Sequence, residues 1–164
     1  MDDVFMKRAI ELSRRALSEP GTEPFGAVVV KDGAVVGEGL NQARARFDPT
    51  SHGEVEAIRD ACRKLECTDL SGYDLYTSCE PCAMCVAAMQ IVGIRHLYYA
   101  ASLDQSGRAL DAVGLKVRPR IDAVDLRTEV GLPVEERRMP STRLMDADAV
   151  VVLDAWAAKH RGVS

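Results

Sequence analysis

Hydrophobic positions in the first half of the chain change period several times, and each change marks an element. Phe5, Ala9, Leu12 and Ala16 recur at helical spacing until Pro20-Gly21 ends the pattern, which predicts an amphipathic helix over residues 2 to about 18. Two β-branched runs follow, Phe25 to Lys31 and Ala34 to Leu40, joined through Lys31-Asp32-Gly33, whose glycine suits the positive φ of a hairpin turn. Helical spacing returns with Val55, Ile58, Cys62 and Leu65, giving a helix that starts at His52 and ends near Glu66. Tyr73 to Ser78 reads as a strand, Pro81 to Val92 as a helix with proline in its first turn, and Ile94 to Ala101 as another strand. Ser102 to Arg138 carries mixed signals, and Asp146 to Lys159 reads as a final helix with Val150, Leu153 and Trp156 or Ala157 on one face.

This order predicts an α/β fold in three layers, α/β/α: a twisted mixed sheet opened by an N-terminal hairpin and continued by βα units, with helices on both faces. Nothing along the chain reads as a repeat, a low-complexity tract or a linker, so residues 1–164 are expected to form one domain. A chain of 164 residues, 47% apolar, buries roughly two-thirds of its unfolded surface without help from disulfides. The longest apolar runs, Ala27 to Val30 and Ala149 to Leu153, fall far short of the ~18 residues that span a bilayer. The first residues, Met1-Asp2-Asp3, place acids where a secretory leader has bases, so a cytoplasmic location is expected. With 21 basic and 25 acidic side chains the formal charge is −4, which disfavours nucleic acid as a partner and favours a small molecule.

The cysteines change the picture. There are five, and three of them crowd between Cys79 and Cys85, a pattern of metal or redox chemistry rather than of a secreted scaffold. Cys82 and Cys85, three apart at a helix start, lie on one face of a turn where unpaired N–H groups favour thiolates. His52 supplies a third ligand, and three protein ligands leave the fourth position of Zn2+ open to water, as in catalytic sites. Glu54, two residues from His52, is then placed to move protons as the general acid and base. Two blander arrangements compete: a closed site in which Cys79 is the fourth ligand, and a structural or redox module without catalysis. Cys62 and Cys67 read as buried or partly buried thiols and Glu56 as a solvated carboxylate.

His52-Gly53-Glu54 together with Pro81-Cys82-Ala83-Met84-Cys85 resembles the H-x-E…P-C-x-x-C signature of the zinc-dependent cytidine and nucleobase deaminases. Pro24-Phe25-Gly26-Ala27-Val28, Asp48-Pro49-Thr50-Ser51-His52 and Thr77-Ser78-Cys79-Glu80-Pro81-Cys82 are similar to the bacterial guanine deaminase branch, as is Pro133 to Pro140 followed by Ala155-Trp156. The resemblance implies a cytidine-deaminase-like fold and hydrolytic release of ammonia from an amino-substituted heterocycle, most simply guanine. Other aminopurines, pyrimidines, nucleosides, aminotriazines and adenosine in transfer RNA are the alternatives. It further implies Zn2+ on His52, Cys82 and Cys85, proton transfer by Glu54, and substrate contacts from Asn41, Phe25 and Gly53, with Gly53 widening the pocket where the family has alanine. A homodimer is implied as well, its carboxy-terminal segment from about residue 130 to 164 exchanged between subunits. Two departures stand out. Gly114-Leu115-Lys116-Val117 replaces a Gly-Phe-Asp-Asp stretch whose acid helps hold guanine, leaving Asp104, Asp111, Asp122 or Asp125 as replacements. The residues after Trp156 lack the family's capping aromatic, for which His160 is the nearest substitute.

Overall fold

The computed structural model describes residues 3–113 and 122–161. The chain divides into two units, Met1–Arg127 and Thr128–Ser164. In the first unit, α1 (Asp3–Arg14) continues as a short 3-10 turn over Arg15–Leu17, close to the helix the spacing predicts. The hairpin is β1 (Glu23–Lys31) and β2 (Ala34–Asn41), turned by Asp32 and Gly33, both at positive φ. Then come α2 (Gly53–Leu65), β3 (Asp74–Cys79), α3 (Ala83–Ile91), β4 (His96–Ala101) and α4 (Leu103–Val113). The segment of mixed signals thus holds α4 and α5 (Ala123–Gly131), and α5 crosses into the second unit.

The four strands lie in the order β2-β1-β3-β4. β1 is antiparallel to both β2 and β3, and β3 is parallel to β4, which α3 joins as a crossover. The alternation of β1 explains why two layers of helix are needed. Ala27 and Val29 point to one face, where Ala57, Ile58 and Ala61 of α2 and Cys85 and Met89 of α3 cover them. Val28 and Val30 point to the other and pack with Tyr76 against Ala9 and Leu12 of α1. A strand buried on both faces reads as a continuous apolar run, as β1 does. The fold is therefore the three-layer α/β/α arrangement expected, with a mixed sheet opened by a hairpin.

One close approach sets the position of the site. A Cβ on Gly39 of β2 would collide with the Gly53 carbonyl oxygen and the Ala57 nitrogen, so only glycine lets α2 lie directly on β2. That contact fixes the start of α2, where His52 stands.

The second unit holds the end of α5, a 3-10 turn at Val134–Glu136 and α6 (Asp146–His160). Val150, Val151, Val152, Leu153 and Trp156 of α6 are all exposed. Among the described residues no helix is long and apolar enough to cross a membrane.

Candidate metal centre and deaminase site

Two helix starts meet on the α2 and α3 side of the sheet. His52 is the N-cap of α2 and Cys82 the N-cap of α3, both with extended backbone. Pro81 and Cys82 therefore precede α3 rather than occupy its first turn: the extended backbone at Cys82 turns its thiol back toward Cys85, one turn inside the helix. Among the described residues, His52, Cys82 and Cys85 are the group whose ligand atoms converge closely enough for one ion.

Their separations test the fit. Cys82 Sγ lies 3.6 Å from His52 Nδ1, Cys85 Sγ lies 3.5 Å from the same nitrogen, and the two sulfurs are 3.6 Å apart. Zinc bonds of about 2.3 Å to sulfur and about 2.0 Å to nitrogen, at tetrahedral angles, put sulfurs roughly 3.8 Å apart and sulfur and nitrogen roughly 3.5 Å apart. The triangle is the one Zn2+ requires. The hydrogen bond between the two sulfurs pulls the Cys82 thiol down to about 4, while the same bond and burial push Cys85 up. Cys79 turns away from this triangle: it is buried, its Sγ reaches the Ser102 carbonyl oxygen at 3.8 Å, and burial pushes its thiol up. The closed four-ligand arrangement is thereby set aside.

Glu54 stands beside the ligands. Its side chain is buried, with Oε2 3.4 Å from Cys85 Sγ and Oε1 accepting a hydrogen bond from Thr77 Oγ1 at 3.2 Å. Burial pushes its carboxyl above the ordinary carboxylate range. Thr77, fully buried on β3, was legible in the sequence only as a strand residue. The sequence offers no signal that singles it out, since Ser78 beside it on the same strand carries a hydroxyl as well.

Asn41 ends β2 and is buried, its Nδ2 donating to Glu23 Oε2 at 3.3 Å and its Oδ1 accepting the Ala43 N–H at 3.0 Å. Phe25 is half-buried on β1. The side of Gly53 that a Cβ would occupy faces the Phe25 carbonyl oxygen, so the glycine serves the close packing of α2 on β1 and opens no extra space. Behind the cysteine loop, Glu80 Oε2 accepts the Leu103 N–H and Oε1 pairs with Arg127 at 2.8 Å.

Several expected positions lie elsewhere. Glu56 is not solvated: it is buried and clamped by two arginines, because the segment before α2 folds back over it. Cys67 is exposed, just past the end of α2, and Cys62 is half-buried. Of the four candidate acids, Asp104 pairs with Arg108, Asp122 accepts the Val124 and Asp125 N–H groups at the start of α5, and Asp111 and Asp125 are exposed. His160 belongs to α6, its Nδ1 donating to the Trp156 carbonyl oxygen at 2.7 Å while the rings stack. Gly114 to Val117 lie outside the described residues.

A mixed sheet with a His-Cys-Cys triangle at two helix starts and a buried carboxylate against it defines a zinc deaminase. The chain belongs to the cytidine and deoxycytidylate deaminase family, whose zinc-binding region matches residues 1–101. It is 36% identical to the guanine deaminase of Bacillus subtilis over 154 residues, 94% of this chain and 92% of that one. The X-ray structure of the Bacillus subtilis guanine deaminase superposes with a TM-score of 0.82 at 35% identity, covering 96% of this chain and 94% of that one. A tRNA-specific adenosine deaminase of Agrobacterium fabrum is 42% identical over 108 residues, 66% of this chain and 70% of the relative.

Proposed function

We propose that this chain is a guanine deaminase: it hydrolyses the bond between the ring carbon and the exocyclic amino group of guanine, giving xanthine and ammonia. The observation that carries the reading is the extent of likeness. Similarity to a guanine deaminase spans nearly the whole of both chains, whereas the tRNA-specific relative matches about two-thirds of this one. The net charge of −4 also disfavours the polyanionic substrate.

In this reading His52, Cys82 and Cys85 hold Zn2+, which when bound lowers the pKa of water and so makes a nucleophile available near neutral pH. Glu54 is the catalytic residue. One of its carboxylate oxygens takes the proton of the attacking water and delivers it to a ring nitrogen next to the reacting carbon. The carboxylate then takes the remaining proton of the hydroxyl added to that carbon and hands it to the amino group, so that the carbon–nitrogen bond breaks, ammonia leaves and a carbonyl remains. Burial keeps bulk water from exchanging with that proton in transit, and Thr77 Oγ1 donates to the carboxylate oxygen turned toward the sheet. Asn41 reads the ring edge with an amide that both donates and accepts, Phe25 walls the ring and Gly53 contributes its backbone. We place the enzyme in the cytoplasm, where thiol ligands stay reduced, and as a homodimer whose segment from about residue 130 is exchanged. The exposed apolar side chains of α6 support that assembly.

The test is ammonia release by zinc-loaded protein from guanine, other aminopurines, cytosine, guanosine, an aminotriazine and an adenosine-bearing RNA. Guanine is expected to turn over, and Glu54→Gln to lose on the order of 10²- to 10⁴-fold in kcat while keeping one zinc per chain. Turnover of another heterocycle with guanine inert would replace the substrate, and Gly114 to Val117 would be where specificity changed.

A further inference from the structure

The segment between Asn41 and His52 joins two ends of the site and is a run of turns bonded partly to itself, with the Arg46 N–H on the Gln42 carbonyl oxygen at 2.9 Å, the Phe47 N–H on the Arg44 carbonyl oxygen at 3.4 Å and the Ser51 N–H on the Asp48 carbonyl oxygen at 3.0 Å. The Gln42 N–H donates to the Ser51 carbonyl oxygen at 3.0 Å, and the Asp48 N–H donates to the Ala43 carbonyl oxygen at 3.0 Å. Across its middle the segment carries exposed Arg44 and Phe47, the latter at φ 52, a backbone conformation unfavourable for an aromatic residue. From outside, the Gly21 carbonyl oxygen holds the middle by accepting the Ala45 N–H at 2.9 Å, and α2 is placed to hold it through side chains.

Two reciprocal contacts do so. Glu56 of α2 offers a buried carboxylate whose Oε2 accepts from Arg46 Nη1 of the segment at 2.6 Å. Arg59 of α2 reaches the other way: its Nη1 donates to Glu56 Oε1 at 2.6 Å and approaches Asp48 Oδ2 at 3.4 Å, and its Nη2 donates to Thr50 Oγ1 at 3.2 Å. A carboxylate with both oxygens engaged and almost no solvent exposure is stable only while its guanidinium partners stay in place. Arg46 and Arg59 are each partly exposed, so the requirement runs one way: the buried acid pins the arginines, not the reverse.

We propose that Glu56 is a positioning residue for substrate binding: by gripping Arg46 and Arg59 it fixes the 42–51 segment over α2 and so holds Asn41 at its working distance from His52. The substrate half of this statement rests on the function proposed above, whereas the clamp does not. Glu56 meets His52 through its backbone N–H, which donates to the His52 carbonyl oxygen at 2.9 Å and which a side-chain substitution keeps, so loss of the carboxylate leaves the metal triangle intact and instead loosens the reading end of the site. Binding of the ring is then weakened more than the chemical step.

The experiment compares Glu56→Gln, Arg46→Gln and the double variant with the wild-type chain, all as the full zinc-loaded protein. Three readouts are taken: zinc per chain, KM and kcat with guanine, and the rate of tryptic cleavage after Arg44. Each single variant is expected to keep its zinc, to raise KM about tenfold with kcat within about twofold, and to be cut after Arg44 several times faster. The double variant should be no worse than the singles, since both break one clamp. Unchanged cleavage and unchanged KM in both singles would overturn the proposal, as would losses that multiply in the double variant or zinc loss in proportion to kcat. A wild-type chain inert toward guanine would defeat the proposed substrate alone, and the proteolysis result would still decide the clamp.

Discussion

Glu56 titrates in a way that its surroundings dictate. Burial alone would raise its carboxyl, but the hydrogen bond from Arg59 and the charges of Arg46 and Arg59 outweigh burial and hold it below the ordinary value. An ordinary glutamate titrates at about 4.3 in an unfolded chain. The group therefore stabilises the fold fully above that value, and the contribution disappears as pH falls through the depressed folded value. Thermal melts of the wild-type chain and Glu56→Gln should differ most at neutral pH and converge under acid conditions. A difference that persists unchanged into acid would mean that the arginines do not set the charge of this carboxyl. The same residue shows where single-residue reading reached its limit. A carboxylate one helical turn past a metal ligand looks solvated when only the helix is considered, and nothing in the helix itself says that a preceding loop returns with an arginine. His52, Glu54, Cys82 and Cys85 were legible because their chemistry is local: two short spacings, each at a helix start. Thr77 was not, because its link to Glu54 crosses from β3 to α2.

At the scale of elements, the hairpin, α2, β3 and β4 follow the periodicity closely, and the departures are of one or two residues at ends. The helix after Pro81 is the instructive case: proline fits the first turn, yet the extended backbone at Cys82 pushes the helix start to Ala83. Strand order was not legible at all, since the choice of β3 rather than β4 as the neighbour of β1 depends on which sheet edge the crossover returns to. The contact of α2 with β2 is the element-scale feature that the chemistry depends on most. Gly39→Ala should lower the denaturant midpoint by the equivalent of about 1–3 kcal/mol, because the added methyl must displace the start of α2. An unchanged midpoint would show that α2 yields freely.

For the whole molecule, the second unit poses the question of assembly. α6 carries an apolar sequence between charged ends, and none of its residues is buried. A helix of this composition needs a cover, and the homodimer proposed above would supply one of matching chemistry. Sedimentation should give twice the chain mass of 17.9 kDa, and Val150→Glu combined with Leu153→Glu should shift it to the single-chain value. A wild-type chain that sediments as a monomer at micromolar concentration would remove the exchanged dimer from consideration.

The metal triangle also bears on how the molecule opens. Its nitrogen and its sulfurs come from segments 30 and 33 residues apart, one at the start of α2 and one at the start of α3. An ion gripping both is a reversible crosslink, closing a loop of the chain whenever it is bound. Local unfolding of either helix start then requires releasing the other, so the two cease to fray separately and become one unit of amide exchange. Metal supply sets the lifetime of that unit, and proteolytic survival of the chain becomes a reading of how much zinc the cell can spare it.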